Sequence, residues 1–183
     1  MPDSDALSAS SVGASSVGAS AAGASAAGAD IVRMLAAKHY TIAVAESLTG
    51  GLLVSELIRT PGASAVVLGG VVAYNTELKH TVLGVDAEVL AAHGAVHPDV
   101  AAQMAVGVRD ALAVAGEPAY IGISTTGVAG PDPQDGQPVG TVYLGFAIGT
   151  VVRTKALALS GTREEIRSAV VYESLIELKN LLG

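Results

Sequence analysis

The apolar residues of this chain form short runs whose spacing alternates between that of a helix and that of a buried strand. Asp30 is placed to cap a helix over residues 31–39, and a continuous apolar strand follows at residues 40–45. A second helix at residues 52–60 and a second apolar strand at residues 66–74 repeat this pair. The pattern therefore predicts consecutive helix and strand units in the first half of the chain.

The same alternation continues through the second half of the chain and ends in a hairpin. One short helix carries Lys79, another begins at Asp86, and Pro98 begins a longer helix with apolar residues at intervals of four. The last two predicted strands are separated by only two residues, which is typical of a β-hairpin. Three strands are predicted here, at residues 119–124, 140–148 and 151–159.

The order of the elements predicts the fold class. Thr162 and Glu165 match a capping box ahead of a final helix with one apolar face. Strands that alternate with helices and then form a hairpin predict an α/β fold with both faces of the sheet covered. We expect a three-layer α/β/α sandwich with a mixed, mostly parallel sheet and one C-terminal hairpin.

The first residues of the chain differ in composition from the rest. Residues 9–28 are four tandem pentapeptides, ASSVG twice and ASAAG twice. Their small side chains bury too little apolar area to offset the entropy of ordering them. We therefore expect residues 1–27 to be a disordered tail and residues 28–183 to form one folded domain. The alternative is a frayed extension of the first helix, because Ala favours helices, although each Gly there costs about 1 kcal/mol.

Composition and charge narrow the class of partner. The net charge of −7 opposes binding to nucleic acid, because a phosphate backbone is held by a basic surface. No apolar run approaches the roughly 20 residues of a membrane-spanning helix, and Asp3 and Asp5 stand where a secretory signal carries basic residues. The absence of cysteine excludes disulfides, thiolate metal sites and a cysteine nucleophile. We expect a cytoplasmic protein whose partner is a small molecule, and neither nucleic acid nor a membrane. The sequence does not decide whether the protein is a monomer or a homo-oligomer.

Three loops that follow predicted strands carry residues suited to chemistry. Ligands of α/β sheets bind beyond the carboxyl ends of the strands, and these loops are ESLTGG, YNTELK and STTGVAGP. In the first loop a hydroxyl is followed by Gly50 and Gly51 at the start of a helix, where free N–H groups favour an anion. Taken alone, the loop is better explained if Ser47 or Thr49 only caps that helix.

The other two loops add a candidate base and a second cradle for an anion. Lys79 ends YNTELK, and although a lone lysine is more typical of the surface, burial lowers its pKa and lets it act as a base. The glycines of STTGVAGP let N–H groups approach a phosphate or an oxyanion, although a plain glycine turn explains them equally well. Arg163 could clamp a phosphate or face water. The four histidines lack the spacing of a metal site, so we expect no metal.

Taken together, the motifs resemble one family. ESLTGG, PGAS, LGGVVAYNTELK, LGV, HGAV, TTGVAGP, PVGTVY and GTREEIR are similar in order and spacing to the C-terminal domain of the competence-associated CinA proteins. That domain also exists as a free-standing nicotinamide-nucleotide amidase of the PncC type. The resemblance covers roughly residues 30–183. It implies an α/β/α hydrolase that converts the carboxamide of nicotinamide mononucleotide (NMN) to nicotinate mononucleotide and ammonia, a step of NAD salvage.

The resemblance also implies roles for individual residues. It implies a serine-lysine mechanism without metal or cofactor, with Ser47 as the nucleophile and Lys79 as its base. Tyr74 matches the tyrosine of the second motif, and we expect it to orient Lys79 or relay its proton. The residues expected to bind the substrate are Thr49, Gly50, Gly51, Asn75, Thr125, Thr126, Gly127 and Arg163.

Two questions stay open at this point. Backbone N–H groups near Ser47 or in the loop at residues 125–130 could hold the oxyanion, while Arg163 and the Gly50-Gly51 helix start compete for the phosphate. Departures from the family pattern also motivate a rival hypothesis, a non-catalytic nucleotide-binding module. A third hypothesis, a partner protein in DNA uptake or repair, finds no support in the acidic composition. The departures are Leu48 for Cys, Asn75-Thr76 for Ser-Asn, Thr162 for Asp, and the loop GPDPQDGQP for a more Gly-rich one.

Overall fold

A five-stranded mixed sheet is the centre of the protein in a computed structural model that describes residues 21–183. The strands lie in the order β2-β1-β3-β4-β5. The first three in chain order are parallel, β4 is antiparallel to β3, and β5 is antiparallel to β4, so that four strands run in one direction. The strands are β1 (Ile42–Glu46), β2 (Val67–Val72), β3 (Ile121–Gly127), β4 (Thr141–Ile148) and β5 (Val151–Ala158).

Helices cover both faces of this sheet. Because successive residues of a strand point to opposite faces, β1 contributes to two apolar cores. Ile42 and Val44 pack with α1, α2 and α6 on one face, while Ala43 and Ala45 pack with α5 on the other. The predicted three-layer α/β/α sandwich with a C-terminal hairpin is confirmed. The helices are α1 (Ala21–Lys38), α2 (Leu52–Ile58), α3 (Thr76–Thr81), α4 (Ala87–His93), α5 (Pro98–Ala111) and α6 (Arg163–Leu182).

The first helix begins earlier than the sequence pattern predicts. It starts at Ala21, so Asp30 lies inside α1, and the prediction that Asp30 is its N-cap is wrong. The carboxylate of Asp30 instead accepts a hydrogen bond from Lys179 Nζ of α6 at 2.6 Å. Asp30 therefore connects two helices that pack side by side on the same face of the sheet.

The predicted tail needs a correction for the same reason. Residues 21–27 are helical, so the expectation of disorder through residue 27 is wrong for them, and two alanines in this stretch are buried. Gly28 lies against the backbone of Glu56 in α2, where a Cβ atom would stand only 3.3 Å from the carbonyl oxygen. Small residues thus allow close packing of α1 on α2, a contact between distant segments that composition does not predict. Residues 1–20 lie outside the described part of the chain.

The register of the parallel strands places their carboxyl ends at one edge of the sheet. Glu46, the last residue of β1, pairs with Val72 at the end of β2 and with Thr125 near the end of β3. The loops ESLTGG, YNTELK and STTGVAGP consequently leave the sheet side by side. At the start of α6, Thr162 and Glu165 form the predicted capping box. None of the helices described is both long and apolar enough to cross a membrane.

Candidate active site

A cleft of about 180 Å³ opens where the three loops meet. Ser47 and Leu48 line it from the loop after β1, Lys79 from α3, and residues 126–130 from the end of β3 and the loop after it. A larger groove of about 740 Å³ lies along α5, but only the smaller cleft brings the predicted nucleophile and base together. The remaining walls of the cleft are Tyr74, Ala95, Val96, Asp132, Gln134 and Arg163.

The predicted nucleophile and base are in hydrogen-bond contact. Lys79 Nζ lies 3.2 Å from Ser47 Oγ and 2.7 Å from the carbonyl oxygen of Ala73, to which it donates. The residue Lys79 is only 1% exposed. One N–H bond of the amine is thus fixed by the backbone at the end of β2, and the amine is directed at the serine hydroxyl.

Burial changes the protonation of Lys79. Removal from water disfavours the ammonium form and lowers the pKa of Lys79 from 10.5 to about 8, and the carboxylate of Asp135 acts against this shift. A substantial fraction of the amine is therefore neutral slightly above neutral pH. A lysine in that state can accept the proton of a hydroxyl.

The turn that carries Ser47 has a backbone that requires glycine. The Ser47 N–H donates to the carbonyl of Thr125 on β3, and the Gly50 N–H donates back to the Ser47 carbonyl at 3.1 Å. Gly50 and Gly51 then have φ values of 59° and 98°, which residues with a Cβ rarely adopt. The two glycines let the chain reverse sharply between β1 and α2, and so place the hydroxyl at the sheet edge.

Glu46 occupies the start of α2, which corrects the predicted anion site there. Its buried carboxylate accepts hydrogen bonds from the N–H groups of Gly51, Leu53 and Val54. The N-cap residue is Gly51, so neither Ser47 nor Thr49 caps the helix by its side chain. The helix start predicted to bind an anion is therefore already occupied by the side chain of Glu46, and substrate binding by Gly50 and Gly51 stays a prediction.

Several other residues predicted to bind substrate form hydrogen bonds within the protein. Thr49 and Thr125 share a buried hydrogen bond of 2.8 Å between their hydroxyls, and neither lines the cleft. Asn75 caps α3 by accepting from the N–H of Glu77, and it does not line the cleft either. Thr126 does line the cleft, as do Gly127 and Arg163, although the hydroxyl of Thr126 donates to the Ala95 carbonyl at 2.6 Å.

Tyr74 has a different partner from the one predicted. Its side chain is 61% exposed at the mouth of the cleft, and its hydroxyl accepts a hydrogen bond from Arg163 Nη2 at 3.1 Å. The Ala73 carbonyl, rather than Tyr74, orients the Lys79 amine. Arg163 Nη1 also donates to the Gly130 carbonyl at 2.7 Å. Tyr74 and Arg163 therefore form a polar rim that joins the loop after β2 to the loop after β3.

The roles of three residues near the cleft were not predicted from the sequence. The role of Glu46 could have been found, because a carboxylate just before a helix is a recognised stabilising pattern. Arg167 Nε donates to the Leu48 carbonyl and Nη2 to the Thr49 carbonyl, at 2.9 and 3.1 Å. Asp135 accepts from the Ala95 N–H at 3.1 Å. Arg167 and Asp135 form hydrogen bonds with backbone groups that are distant in the sequence, and such contacts leave no sequence motif.

The described residues around the cleft offer no candidate metal centre. Among residues 21–183, no group of three or more histidine, cysteine or acidic side chains is arranged to hold a metal ion. The groups that form hydrogen bonds with Ser47 are the Lys79 amine and main-chain atoms of Gly50 and Thr125.

Comparison with known proteins identifies the family. Residues 24–182 match the family model described as the CinA C-terminal domain. The chain belongs to this CinA C-terminal domain family. A CinA-like protein of Frankia casuarinae is 45% identical over 153 residues, which are 84% of this chain and 34% of that protein. The chain thus spans about a third of the length of such curated CinA relatives.

Solved structures of CinA-type proteins have the same fold. The competence damage-inducible protein A of Klebsiella pneumoniae superposes with a TM-score of 0.79 at 34% identity, covering 86% of this chain and 95% of that one. A competence/damage inducible protein of Agrobacterium tumefaciens gives a TM-score of 0.81 at 32% identity, covering 88% of this chain and 96% of that one. The resemblance to the CinA family seen in the sequence motifs is therefore confirmed.

Proposed function

We propose that this protein hydrolyses the carboxamide of NMN, with Ser47 as nucleophile and Lys79 as general base. The observation that carries the proposal is the 3.2 Å separation of Ser47 Oγ and Lys79 Nζ in a cleft where burial lowers the pKa of the lysine. A serine hydroxyl is a weak nucleophile unless a base accepts its proton. The choice of NMN rests on the resemblance of the motifs to those of nicotinamide-nucleotide amidases.

The first half of the reaction forms an acyl-enzyme. Ser47 Oγ attacks the carboxamide carbon while its proton passes to neutral Lys79, and the carbonyl electrons move onto oxygen. The tetrahedral intermediate then collapses, the carbon–nitrogen bond breaks, and Lys79 returns the proton to the departing ammonia. In the second half Lys79 takes a proton from water, which attacks the ester, and Ser47 leaves with that proton.

The rim of the cleft supplies a site for the substrate phosphate. Arg163 lies at the mouth, where its guanidinium contacts Tyr74 and Gly130 and stays accessible. The helix start after Gly51 competes poorly for an anion, because the carboxylate of Glu46 already occupies it. We therefore assign the 5′-phosphate to Arg163, since guanidinium groups bind phosphate in a bidentate manner.

The proposed base predicts a pH dependence that a substitution should move. For the free enzyme, kcat/KM should rise with pH through about 8, as Lys79 loses its proton. Asp135→Asn removes the carboxylate that raises the pKa of Lys79, so the rise should shift to lower pH. The Asn side chain keeps an oxygen acceptor for the Ala95 N–H. The pH profile of ammonia release checks this, with Asp110→Asn on α5 as a control. A shift to higher pH would contradict it.

The function itself is tested by a coupled ammonia assay with three substrates. NMN, nicotinamide riboside and free nicotinamide are compared at equal concentration. We expect ammonia from NMN and a much higher KM for the riboside, because the riboside lacks the phosphate assigned to Arg163. NMN binding without ammonia release would instead identify a nucleotide-binding module, and turnover of free nicotinamide alone would refute the assignment of Arg163.

A further inference from the structure

Lys79 is a buried amine that has no carboxylate partner in residues 21–183. Its Nζ atom has two hydrogen-bond acceptors, the Ala73 carbonyl oxygen at 2.7 Å and Ser47 Oγ at 3.2 Å, and both are uncharged. No ion pair within 4.0 Å joins it to an acidic side chain in this part of the protein. An ammonium group has three N–H bonds, so the protonated amine keeps one donor for a further acceptor. Because buried charges in proteins are normally paired, this arrangement indicates an anion site.

The charged groups nearest to the amine do not fill this position. Asp135 acts on Lys79 through its charge, but its carboxylate accepts a hydrogen bond from the Ala95 N–H and none from the amine. Asp132 and Arg163 line the same cleft and contribute one charge of each sign. Lys79 lines the cleft as well, so its remaining donor is available to a ligand there.

The other titratable side chains around α3 have partners of their own or lie away from the amine. The Glu46 carboxylate is bonded to three N–H groups at the start of α2, and His80 Nδ1 to the Val85 carbonyl. Tyr74 contacts Arg163 at the mouth of the cleft. Free carboxyl, imidazole, phenol and guanidinium groups change charge little between about pH 7.5 and 9, so Lys79 dominates any titration of the cleft in this range. The titratable groups around α3 that do not line the cleft are Glu46, Glu77, His80, His93 and His97.

The proposed hydrolysis generates an anion beside this amine. In its last step water attacks the ester carbon on Ser47 Oγ, and the products are a carboxylic acid and the free hydroxyl. The acid then gives its proton to the neutral amine of Lys79, which leaves a carboxylate and an ammonium. The new carboxylate lies within reach of Nζ, because its carbon was bonded to an oxygen only 3.2 Å from that atom.

We propose that the ammonium form of Lys79 binds the carboxylate of the hydrolysis product, so that the product inhibits the enzyme until the amine loses its proton. The inference rests on the proposed function, which makes that product nicotinate mononucleotide. NMN has a neutral carboxamide in place of this carboxylate and gains no ion pair there. A charge-assisted hydrogen bond is roughly twice as strong as a neutral one, so the protonated site favours product over substrate.

The hydroxyl groups of the cleft support this assignment. When the ammonium donates to Ser47 Oγ, the hydroxyl hydrogen of Ser47 is free to donate to the second oxygen of the same carboxylate. Thr126 cannot do so in its present position, because its hydroxyl donates to the Ala95 carbonyl at 2.6 Å. Lys79 and Ser47 therefore supply one donor for each carboxylate oxygen.

The test compares how tightly the two nucleotides bind at pH 7.5 and pH 9. Titration calorimetry is run with both nucleotides on Ser47→Ala, which should not hydrolyse NMN, and with nicotinate mononucleotide on wild type. With a pKa of about 8, the protonated fraction of Lys79 falls roughly eightfold over this range, and the affinity for the product should fall by the same factor. The affinity for NMN should change by less than about twofold, because its carboxamide is uncharged.

A second measurement needs no variant. Wild type is titrated with nicotinate mononucleotide at pH 9 in two buffers that differ in ionisation enthalpy. Free Lys79 is mostly neutral at this pH, so binding of the carboxylate should take up about one proton per site.

Two substitutions separate the charge of Lys79 from its size. Lys79→Arg is charged at both pH values, so its affinity for the product should not change with pH. Lys79→Met should bind the product at least about tenfold more weakly than wild type at pH 7.5 and bind NMN nearly as well. Lys38→Met, at an exposed position of α1, is the matched control. Thermal unfolding shows whether each variant is folded, and the proton uptake of wild type decides the question if the Lys79 variants are not.

The outcomes distinguish this inference from the proposed function. Product binding that is independent of pH and takes up no proton overturns the inference, and so does an equal loss of affinity for NMN, which would place the effect on the shared phosphate. If wild type releases no ammonia from NMN yet binds nicotinate mononucleotide with the expected pH dependence, the proposed function fails and the carboxylate site stands. Ammonia release without that pH dependence overturns the inference alone. If neither nucleotide binds, both proposals are overturned.

Discussion

Ser47→Ala is expected to abolish ammonia release from NMN, with a loss in kcat on the order of 10⁵ or more. The hydroxyl forms the bond to the carboxamide carbon, and it lies 3.2 Å from the Lys79 amine that takes its proton. Affinity for NMN should change little, because Arg163 and the walls of the cleft remain. Ammonia release gives kcat, and titration calorimetry gives the affinity.

The same variant separates catalysis from helix capping. Ser47 makes no capping hydrogen bond to α2, so its loss should not cause the roughly 1 kcal/mol destabilisation of a lost cap. Ser55→Ala, at an exposed position of α2, is the control for a serine without a chemical role. Activity of Ser47→Ala within a few-fold of wild type would eliminate the acyl-enzyme mechanism.

The second large effect is expected at Lys79. Lys79→Met should lose nearly all activity, because no other group in contact with Ser47 Oγ can accept its proton among the described residues. Lys79→Arg should be equally poor, since a guanidinium keeps its proton at every accessible pH. Turnover of both variants is compared over the pH range in which wild type gains activity.

The arginine variant distinguishes a base from a positive charge. If Lys79→Arg kept most of the activity, Lys79 would act by charge on the substrate and another residue would activate Ser47. Lys155→Arg is a suitable control, because Lys155 pairs with Glu173 and Glu177 on α6 and does not line the cleft. It should retain wild-type turnover.

The contact between Ser47 and Lys79 could be predicted because both follow parallel strands. Loops at the carboxyl ends of neighbouring parallel strands meet at one edge, so the order of the elements and the motifs brought the two residues together. Strong local signals also gave the capping box at Thr162, the start of α5 at Pro98 and the hairpin. These features depend on residues a few positions apart, which a sequence pattern records.

The features that could not be predicted depend on contacts between distant segments. Arg167 bonds to carbonyls 118 and 119 residues earlier in the chain, and any residue type supplies such a carbonyl. Tyr74 meets Arg163 across 89 residues, so its partner could not be inferred from its own motif. The early start of α1 depends on close packing at Gly28, where the lack of a side chain permits the contact. Composition alone predicts disorder for residues 21–27 at the start of this helix.

The buried amine of Lys79 couples folding of the domain to release of a proton. Its pKa is about 8 in the folded protein and 10.5 in an exposed lysine, so between these values the unfolded chain holds a proton that the folded chain lacks. Folding stability from this group therefore rises with pH from about 8 to 10.5, and the full difference is about 3 kcal/mol. Below pH 8 both states hold the proton, and the folded state bears the whole unfavourable contribution of a buried ammonium.

That contribution is a sizeable share of the 5–15 kcal/mol by which domains are typically stable. At neutral pH the rest of the fold therefore offsets the unfavourable burial of this ammonium, and between about pH 8 and 10.5 the unfolded chain binds the proton more tightly than the folded chain does. Acidification from pH 10.5 to about 8 therefore lowers the free energy of unfolding, and below pH 8 this group lowers it no further. Burial of the apolar cores on the two faces of the sheet must therefore contribute enough stability to offset the buried charge of Lys79.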